Sequence, residues 1–131
     1  MDSTRKRLAK LKTAGYFFPK IQLRPRHFGY PYIVDVKVTL RNHTEQDAKA
    51  FVDYLMKHPR VAELFALSGT WDYTIVLIAK DHEDLATVSG EIRGRFAKII
   101  DSWTESLTTI AYKFETYDLL ALSGRDGGAK E

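Results

Sequence analysis

Two hydrophobic periodicities follow one another along this chain, and their order limits its fold more than any other feature of the sequence. From Tyr32 to Leu40 apolar and polar residues alternate, which is typical of a β-strand with one buried face. Thr44 and Asp47 then have the residue types and the spacing of a helix capping box. The helix that follows has an apolar stripe made of Ala48, Phe51, Val52, Leu55 and Met56.

The strand and helix patterns continue in the second half of the chain. Val61–Leu67 and Tyr73–Ala79 predict two more strands joined by a tight turn. Asp81 is the candidate N-cap of a second helix, and Asp84 is its expected capping-box partner. A last strand is expected within Trp103–Phe114. The stripe of the second helix consists of Leu85, Val88, Ile92, Phe96 and Ile99.

The resulting order, β-α-β-β-α-β, predicts an α+β protein with a ferredoxin-like sandwich whose helices both cover one face of the sheet. The third strand is apolar on both sides, because Ile75 and Leu77 point one way and Val76 and Ile78 the other. A sheet with one wet face would alternate apolar and polar residues, so we expect the second face to be covered too. A second copy of the chain is the simplest cover, which predicts at least a dimer.

The charge of the chain is unevenly distributed. Residues 1–26 contain eight basic residues and one acidic residue, whereas the remaining residues contain twelve basic and sixteen acidic ones. A basic segment on a mildly acidic body favours contact between that segment and a polyanion such as DNA, although a solvated leader would have the same composition.

The basic segment also has the pattern of a short helix. Ser3 or Thr4 would cap it, and Gly15 would end it after roughly three turns. Leu8 and Leu11 form its apolar side, which is too small to stabilise an isolated helix. We therefore expect this helix to pack against another surface.

The sequence lacks the residue sets of the common catalytic and metal sites. It contains no cysteine, and its four histidines fall in predicted loops or at helix ends without metal-ligand spacing. Gly90 and Gly94, four residues apart on the second helix, favour close packing over phosphate binding. An acidic cluster occupies the first turn of that helix, where the helix dipole favours negative charge. We therefore predict no enzyme activity, no cofactor and no metal. The histidines are His27, His43, His58 and His82, and the acidic cluster is Asp81, Glu83 and Asp84.

The sequence that follows Met1 has neither the apolar core of a signal peptide nor an apolar run that could cross a membrane. These observations predict a cytoplasmic protein that does not act at a membrane.

The turn between the second and third strands is the strongest candidate for a binding site. It reads Ser68-Gly69-Thr70-Trp71-Asp72, and glycine and aspartate at these positions also suit the geometry of a tight hairpin. Free backbone amides beside an aspartate would in addition suit a small zwitterion, because the amides bind its carboxylate and the aspartate binds its ammonium group.

Together these segments resemble the Lrp/AsnC family of transcription regulators. His58-Pro59-Arg60-Val61, followed by Gly69-Thr70-Trp71-Asp72-Tyr73, is similar to the family's His-Pro-x-Val and Gly-x-aromatic-Asp-Tyr elements. Residues 4–15 are similar to its recognition helix, and Gly29 matches the glycine that ends its linker. The resemblance extends from Ser3 to about Tyr117.

The resemblance implies a winged helix-turn-helix that binds DNA, a linker, and a ferredoxin-like domain that binds an effector. Members of this family form dimers through their sheets, assemble further into octamers, and often bind a free amino acid between dimers. The DNA-binding residues that it implies here are Arg5, Lys6, Arg7, Lys10 and Lys12.

Two departures from the family pattern affect these expectations. The chain begins at the recognition helix, so that the two helices preceding it in the family are missing, and we expect weak, unspecific DNA binding that falls steeply with salt. The family's Thr-x-Thr at the last strand reads Trp103-Thr104-Glu105 here. Glu105 would repel an acidic ligand, and Trp103 would either offer an apolar wall or fill the pocket. The expected ligand-binding residues are Gly69, Thr70, Trp71, Asp72, Trp103 and Glu105.

We therefore divide the chain into three parts. Residues 1–28 are the remnant of the DNA-binding domain, with a short β-hairpin and a linker, residues 29–120 are the effector-binding and oligomerisation domain, and residues 121–131 are a flexible tail. Two other functions remain open, a small enzyme on a dimeric ferredoxin-like scaffold and a ligand-free assembly partner of a full-length regulator.

Overall fold

The computed structural model of the protein describes residues 24–124. Within this range four strands form one sheet in the spatial order β2-β3-β1-β4, and each strand is antiparallel to its neighbours. This order, with two crossover helices, is the ferredoxin-like arrangement, and the predicted fold class is confirmed. The elements are β1 (Tyr32–Leu40), α1 (Glu45–Lys57), β2 (Val61–Ala66), β3 (Tyr73–Ala79), α2 (His82–Arg95), β4 (Ile100–Leu107) and α3 (Leu119–Leu122).

Several predicted features lie outside the described residues. They are the helix at residues 3–15, the hairpin at 16–23 and most of the predicted tail. Of the tail, the structure describes residues up to Gly124, and α3 extends across the domain boundary expected at residue 120. None of the helices between residues 24 and 124 has the length and apolarity that crossing a membrane requires.

The core lies between the sheet and the two long helices. Val34, Val36 and Val38 of β1 are fully buried under them, as the alternating pattern predicted. Phe51 of α1 is fully buried as well, and its ring centre lies 5.1 Å from that of Phe96. Other fully buried members of the core are Leu55, Ile75, Leu77 and Ile92.

The start of α1 follows the sequence prediction, but its apolar stripe is shorter than predicted. The amide of Asp47 donates to Thr44 Oγ1 (3.0 Å), and the amide of Thr44 donates to Asp47 Oδ2 (3.0 Å), which completes the capping box. These hydrogen bonds lower the pKa of Asp47, because they stabilise its ionised form. Met56 is 70% exposed, so its assignment to the buried stripe was wrong.

The capping box predicted for α2 is only half formed. Asp81 Oδ1 accepts from the amide of Asp84 (2.8 Å), as expected of an N-cap. The carboxylate of Asp84, however, accepts from the amide of Lys80 (2.7 Å) and from the guanidinium of Arg60 (2.6 and 3.1 Å). Asp84 therefore joins the start of α2 to the start of β2.

The last strand begins and ends earlier than the sequence predicted. It was expected within residues 103–114, but β4 spans Ile100–Leu107. Helix α2 ends at Arg95, and the amides of Ile99 and Ile100 both donate to the carbonyl of Phe96 in a tight turn. Phe96 and Ile99 therefore contribute to the core from this turn and not from the helix. Ile100 then pairs with Leu40 of β1.

The linker begins in an extended conformation and then turns. Arg24 is extended, but Pro25–Phe28 form a single 3-10 turn that ends at Gly29 with a φ of 95°, a conformation that favours glycine. Tyr30 then lies under Arg60, whose guanidinium carbon is 4.8 Å from the ring centre. The linker is thereby attached to the same ion pair that joins β2 to α2.

The face of the sheet away from the helices, called the open face below, is only partly covered within the described part of the chain. Val76 of β3 lies partly buried on this face, beside a polar cluster, whereas Ile78 on the same face is buried. The Nζ of Lys37 donates to both carboxylate oxygens of Asp35 (2.8 and 2.9 Å) and to Thr74 Oγ1 (2.9 Å). At the β2 edge of this face Phe65 is half exposed. The open face therefore combines apolar side chains with one internally satisfied ion pair.

The ion pair of Arg60 and Asp84 is expected to stabilise the fold in a pH-dependent way. Its hydrogen bond lowers the pKa of Asp84 below the ordinary value of 3.8. The contribution is therefore complete above that value and is lost as the pH falls through the lower pKa of the folded state. Asp84→Asn should lower the free energy of unfolding by about 1–2 kcal/mol at neutral pH, and the difference should shrink in acid.

Denaturant unfolding at neutral pH and at successively lower pH would measure this difference. Asp53→Asn is a matched control, because Asp53 forms an exposed pair with Lys49 one helical turn earlier (2.7 Å), and such pairs contribute little. Equal losses of stability in the two variants, or a loss from Asp84→Asn that grows in acid, would contradict the role assigned to Asp84.

Candidate functional site

The turn between β2 and β3 is held at both ends by backbone hydrogen bonds. The amide of Leu67 donates to the carbonyl of Asp72 (2.8 Å), and the amide of Asp72 donates to the carbonyl of Val38 in β1 (2.9 Å). Gly69 has a φ of 136°, which only glycine adopts readily. Within residues 24–124 the amides of Gly69 and Thr70 form no backbone hydrogen bond, and both residues are exposed. These amides are therefore accessible to an external acceptor.

Asp72 has a structural contact that the sequence did not reveal. Its Oδ2 accepts from the amide of Leu40, at the end of β1, at 2.7 Å. This bond joins residues that are 32 positions apart and fixes the turn against the sheet. The residue itself is exposed, and the part of the chain described here shows no hydrogen bond to its Oδ1. One carboxylate oxygen is thus used by the fold, and the other faces outward from the same turn.

Trp103 and Glu105 form a second cluster, on β4 and beneath α2. They pair with Val38 and Val36, so their side chains lie on the face that the helices cover. Trp103 Nε1 donates to Glu105 Oε2 at 2.8 Å, and the hydroxyl of Ser89 on α2 donates to the same oxygen. The carboxylate of Glu105 is thereby directed toward α2 and held by two neutral donors.

Arg93 is a cation that lies beside this second cluster. Its guanidinium carbon lies 5.9 Å from the centre of the Trp103 ring, at the outer limit of a cation–π contact. Trp103 is half buried and packs against the core. Its indole therefore fills space between β4 and α2, with the face of the ring turned toward Arg93.

The two clusters lie at the same end of the sheet but on opposite sides of β1. Asp72 bonds to the carbonyl of Val38, and Trp103 is the partner of Val38 on the other flank. Within one chain each cluster makes its own hydrogen bonds. If the two clusters form one site, they meet across a boundary between subunits, and this stays a prediction.

A shallow depression adjoins the second cluster. It has a volume of about 420 Å³ and is lined by Gly90, Arg93, Gly94, Ala97 and Ile100. A Cβ atom at Gly90 or Gly94 would meet no other atom within 4 Å. The sequence suggested that these glycines serve close packing. Within the described residues they instead leave the surface of α2 open.

Sequence reasoning missed two of the residues that build these clusters, Ser89 and Arg93. Ser89 is buried although it is polar, and it follows Val88 on the stripe of α2. A serine within a buried stripe was the available signal, because such a hydroxyl needs a partner. The partner, Glu105, could not be identified before the register of β4 was known.

The DNA-binding residues implied by the resemblance, Arg5, Lys6, Arg7, Lys10 and Lys12, lie outside the described residues. Within those residues, no group of three or more histidine or carboxylate side chains is arranged to hold a metal ion.

Comparison with known protein families gives one match of direct relevance. A family model described as the Lrp/AsnC ligand binding domain matches residues 33–105, which is more than half of the chain. The match begins in β1 and ends in β4, so it contains both clusters described above. Comparison with curated protein sequences gives no match.

Solved structures with the same fold include transcription regulators. A regulator from Neisseria meningitidis in complex with L-methionine has a TM-score of 0.79 and 20% identity, covering 92% of this chain and 78% of its own. AsnC from E. coli has a TM-score of 0.72 and 18% identity, with coverages of 88% and 76%.

A third similar structure is the feast or famine regulatory protein from M. tuberculosis complexed with L-methionine. Its TM-score is 0.69 and its identity 15%, and the match covers 89% of this chain and 77% of the other. At these identities the likeness shows a shared fold, whereas the family model shows membership. The chain described here belongs to the Lrp/AsnC family, and residues 33–105 are its ligand-binding domain.

Proposed function

We propose that the chain is the effector-binding and self-associating part of a transcription regulator, and that it binds a free amino acid beside the turn Gly69–Asp72. The observation that carries this proposal is the composition of the turn, in which accessible amides at Gly69 and Thr70 lie next to a carboxylate with an outward oxygen. Amides and a carboxylate at this spacing complement the two charged groups of an amino acid. Trp71 is the apolar member of the turn, and two proteins of the same fold were solved with L-methionine.

The charges near the turn favour a neutral or basic amino acid over an acidic one. Asp72 is negative, and Glu105 adds a second carboxylate at the same end of the sheet. Ser89 and Trp103 hold Glu105 by hydrogen bonds, but they do not remove its charge. A side-chain carboxylate on the ligand would therefore meet repulsion, whereas the ring of Trp103 would attract an apolar or cationic side chain.

The same proposal assigns roles to the rest of the chain. Residues 1–28 would face DNA through Arg5, Lys6, Arg7, Lys10 and Lys12, and residues 29–120 would bind the effector and self-associate. The open face of the sheet supports self-association, because Val76 of the inner strand β3 lies on it and is only partly buried within residues 24–124, and Phe65 at its edge is half exposed. A dimer through this face would be the unit from which larger assemblies form.

Removing the charge of Asp72 without removing its hydrogen bond is expected to weaken amino-acid binding by at least roughly tenfold. Asp72→Asn is the informative change, because its amide oxygen still accepts from the amide of Leu40 while the charged partner of the ligand ammonium is lost. Calorimetry with methionine, phenylalanine, arginine and glutamate would measure the effect. Among these ligands, glutamate should bind most weakly to the unaltered protein.

Two further variants separate binding from folding. Asp72→Ala removes both the charge and the bond to Leu40, so it should lose stability as well as binding. Asp53→Asn removes one negative charge far from the turn, on α1, and should leave binding unchanged. Tight glutamate binding, or unaltered binding by Asp72→Asn, would show that the site or its charge preference is wrongly assigned.

A further inference from the structure

A groove unrelated to the effector site runs between the linker and the segment that follows β4. The chain leaves β4 beside the start of β1, where the amide of Thr108 donates to the carbonyl of Ile33 (2.8 Å). Residues 109–116 then face the 3-10 turn Pro25–Phe28. Between these two segments and Ile33 lies a space of about 750 Å³, the larger of the two depressions described here.

The lining of this groove is basic, in contrast to the body of the protein. Arg24, Arg26 and His27 contribute to one wall, and Lys113 contributes to the other. No lining residue is acidic, although acidic residues outnumber basic ones after residue 26. In the described part of the chain, none of these four side chains forms an ion pair. Within this part of the chain, the charges of the two arginines and the lysine, and the ring donor of His27, are therefore available to an external anion.

Aromatic side chains accompany these cations. Tyr112 is 91% exposed and Phe114 is 54% exposed, and both line the groove. A tyrosine hydroxyl is one of the groups that form hydrogen bonds to the phosphates and sugars of DNA. Cationic and aromatic groups in one extended groove thus match the chemistry of a sugar–phosphate chain.

We propose that this groove binds the sugar–phosphate backbone of duplex DNA, as a second contact beside the basic N-terminal segment. The inference rests on the proposed function, in which the chain acts on DNA, and extends it to residues of the linker and the C-terminal segment. The choice of DNA as the occupant follows from continuity of charge, because Arg24 and Arg26 are the last two of the eight basic residues in the N-terminal segment. Both of them line the groove. A duplex bound by the segment would therefore be adjacent in the chain to these two cations.

The salt dependence of DNA binding tests this groove. The variant Arg26→Gln/Lys113→Gln removes one cation from each wall, and the control Lys57→Gln/Lys98→Gln removes two exposed cations outside the groove, so both variants have the same net charge. Binding of the full chain to a labelled duplex of about 30 base pairs would be followed by anisotropy at several salt concentrations. The slope of log K against log salt should fall by roughly 1.8 in the groove variant, because each lost phosphate contact removes about 0.9. In the control it should change by less than about 0.5.

Each other outcome overturns a defined part of the inference. Equal slopes in the groove variant and the control would show that the groove is not a DNA contact, even if the unaltered chain binds DNA. Binding to a single strand but not to the duplex would reject duplex DNA as the occupant. If the sedimentation coefficient of the groove variant shifts while its slope of log K against log salt stays unchanged, the groove would be a contact between copies of the chain. A chain that binds no duplex at low salt would reject both the groove and the DNA-facing role, whereas calorimetry with amino acids tests effector binding separately.

Discussion

The variant Phe51→Ala is expected to lose about 3–5 kcal/mol of the free energy of unfolding. Phe51 is fully buried and lies at the junction of three parts of the fold. Its ring centre lies 5.6 Å from that of Tyr73 at the start of β3, and 5.1 Å from that of Phe96 in the turn after α2. Alanine would leave a cavity at this junction and would remove both edge-to-face contacts, so the loss exceeds that of simple transfer to water.

Urea unfolding followed by the fluorescence of Trp71 and Trp103 would measure this loss. Phe65→Ala is the matched control, because Phe65 is half exposed on the open face and its removal creates no internal cavity. Since association contributes to the stability of a dimer, each variant should be unfolded at several protein concentrations. A loss below about 1 kcal/mol for Phe51→Ala would contradict its central position in the core.

The features that the sequence predicted best are those that depend on neighbouring residues. The capping box of Thr44 and Asp47 has its two members three positions apart, and the alternation in Tyr32–Leu40 identifies the buried face of β1 directly. The order of the elements then leaves few topologies, because crossover connections have a preferred hand. The ferredoxin-like sandwich follows from these local facts.

The prediction of the end of α2 and the start of β4 failed, because the apolar spacing of the helix continues in the sequence after the chain has left the helix. Ile99 and Ile100 continue the apolar spacing of α2, so the pattern did not indicate that the helix ends at Arg95. The turn closed by the carbonyl of Phe96 allows Ile99 to reach the core without helical geometry. The start of β4 was misplaced for this reason.

The contacts of the candidate site could not be predicted from the sequence for a different reason. Asp72 bonds to the amide of Leu40, and Glu105 accepts from Ser89, so each contact joins residues far apart in the sequence. Such pairs depend on the register between strands and on how α2 lies over β4. The sequence identified Asp72, Trp103 and Glu105 as residues of interest, but it could not show that the fold already occupies part of their bonding capacity.

The variant Val76→Lys is expected to abolish self-association while leaving the fold of one chain intact. Val76 lies on the open face of the central strand β3, between Asp35 of β1 and Glu63 of β2. These two carboxylates would stabilise an ammonium group in a single chain exposed to water. In a dimer that covers this face, the same ammonium would lose its hydration, and desolvation of a charge costs several kcal/mol unless it is fully paired. The dissociation constant should therefore rise by at least about a hundredfold.

Analytical ultracentrifugation at micromolar concentration would show the unaltered chain without a dominant monomer and Val76→Lys as a monomer. Thr87→Lys provides the control, because Thr87 is exposed on α2 and a lysine there adds the same charge away from the open face.

Amino-acid titrations of the monomeric variant would also test where the effector binds. If β4 and the turn meet only across a boundary between subunits, Val76→Lys should also bind the effector more weakly, even though Asp72 is unchanged. A dimer that survives the substitution would place the interface elsewhere, and a monomeric unaltered chain would reject self-association through this face.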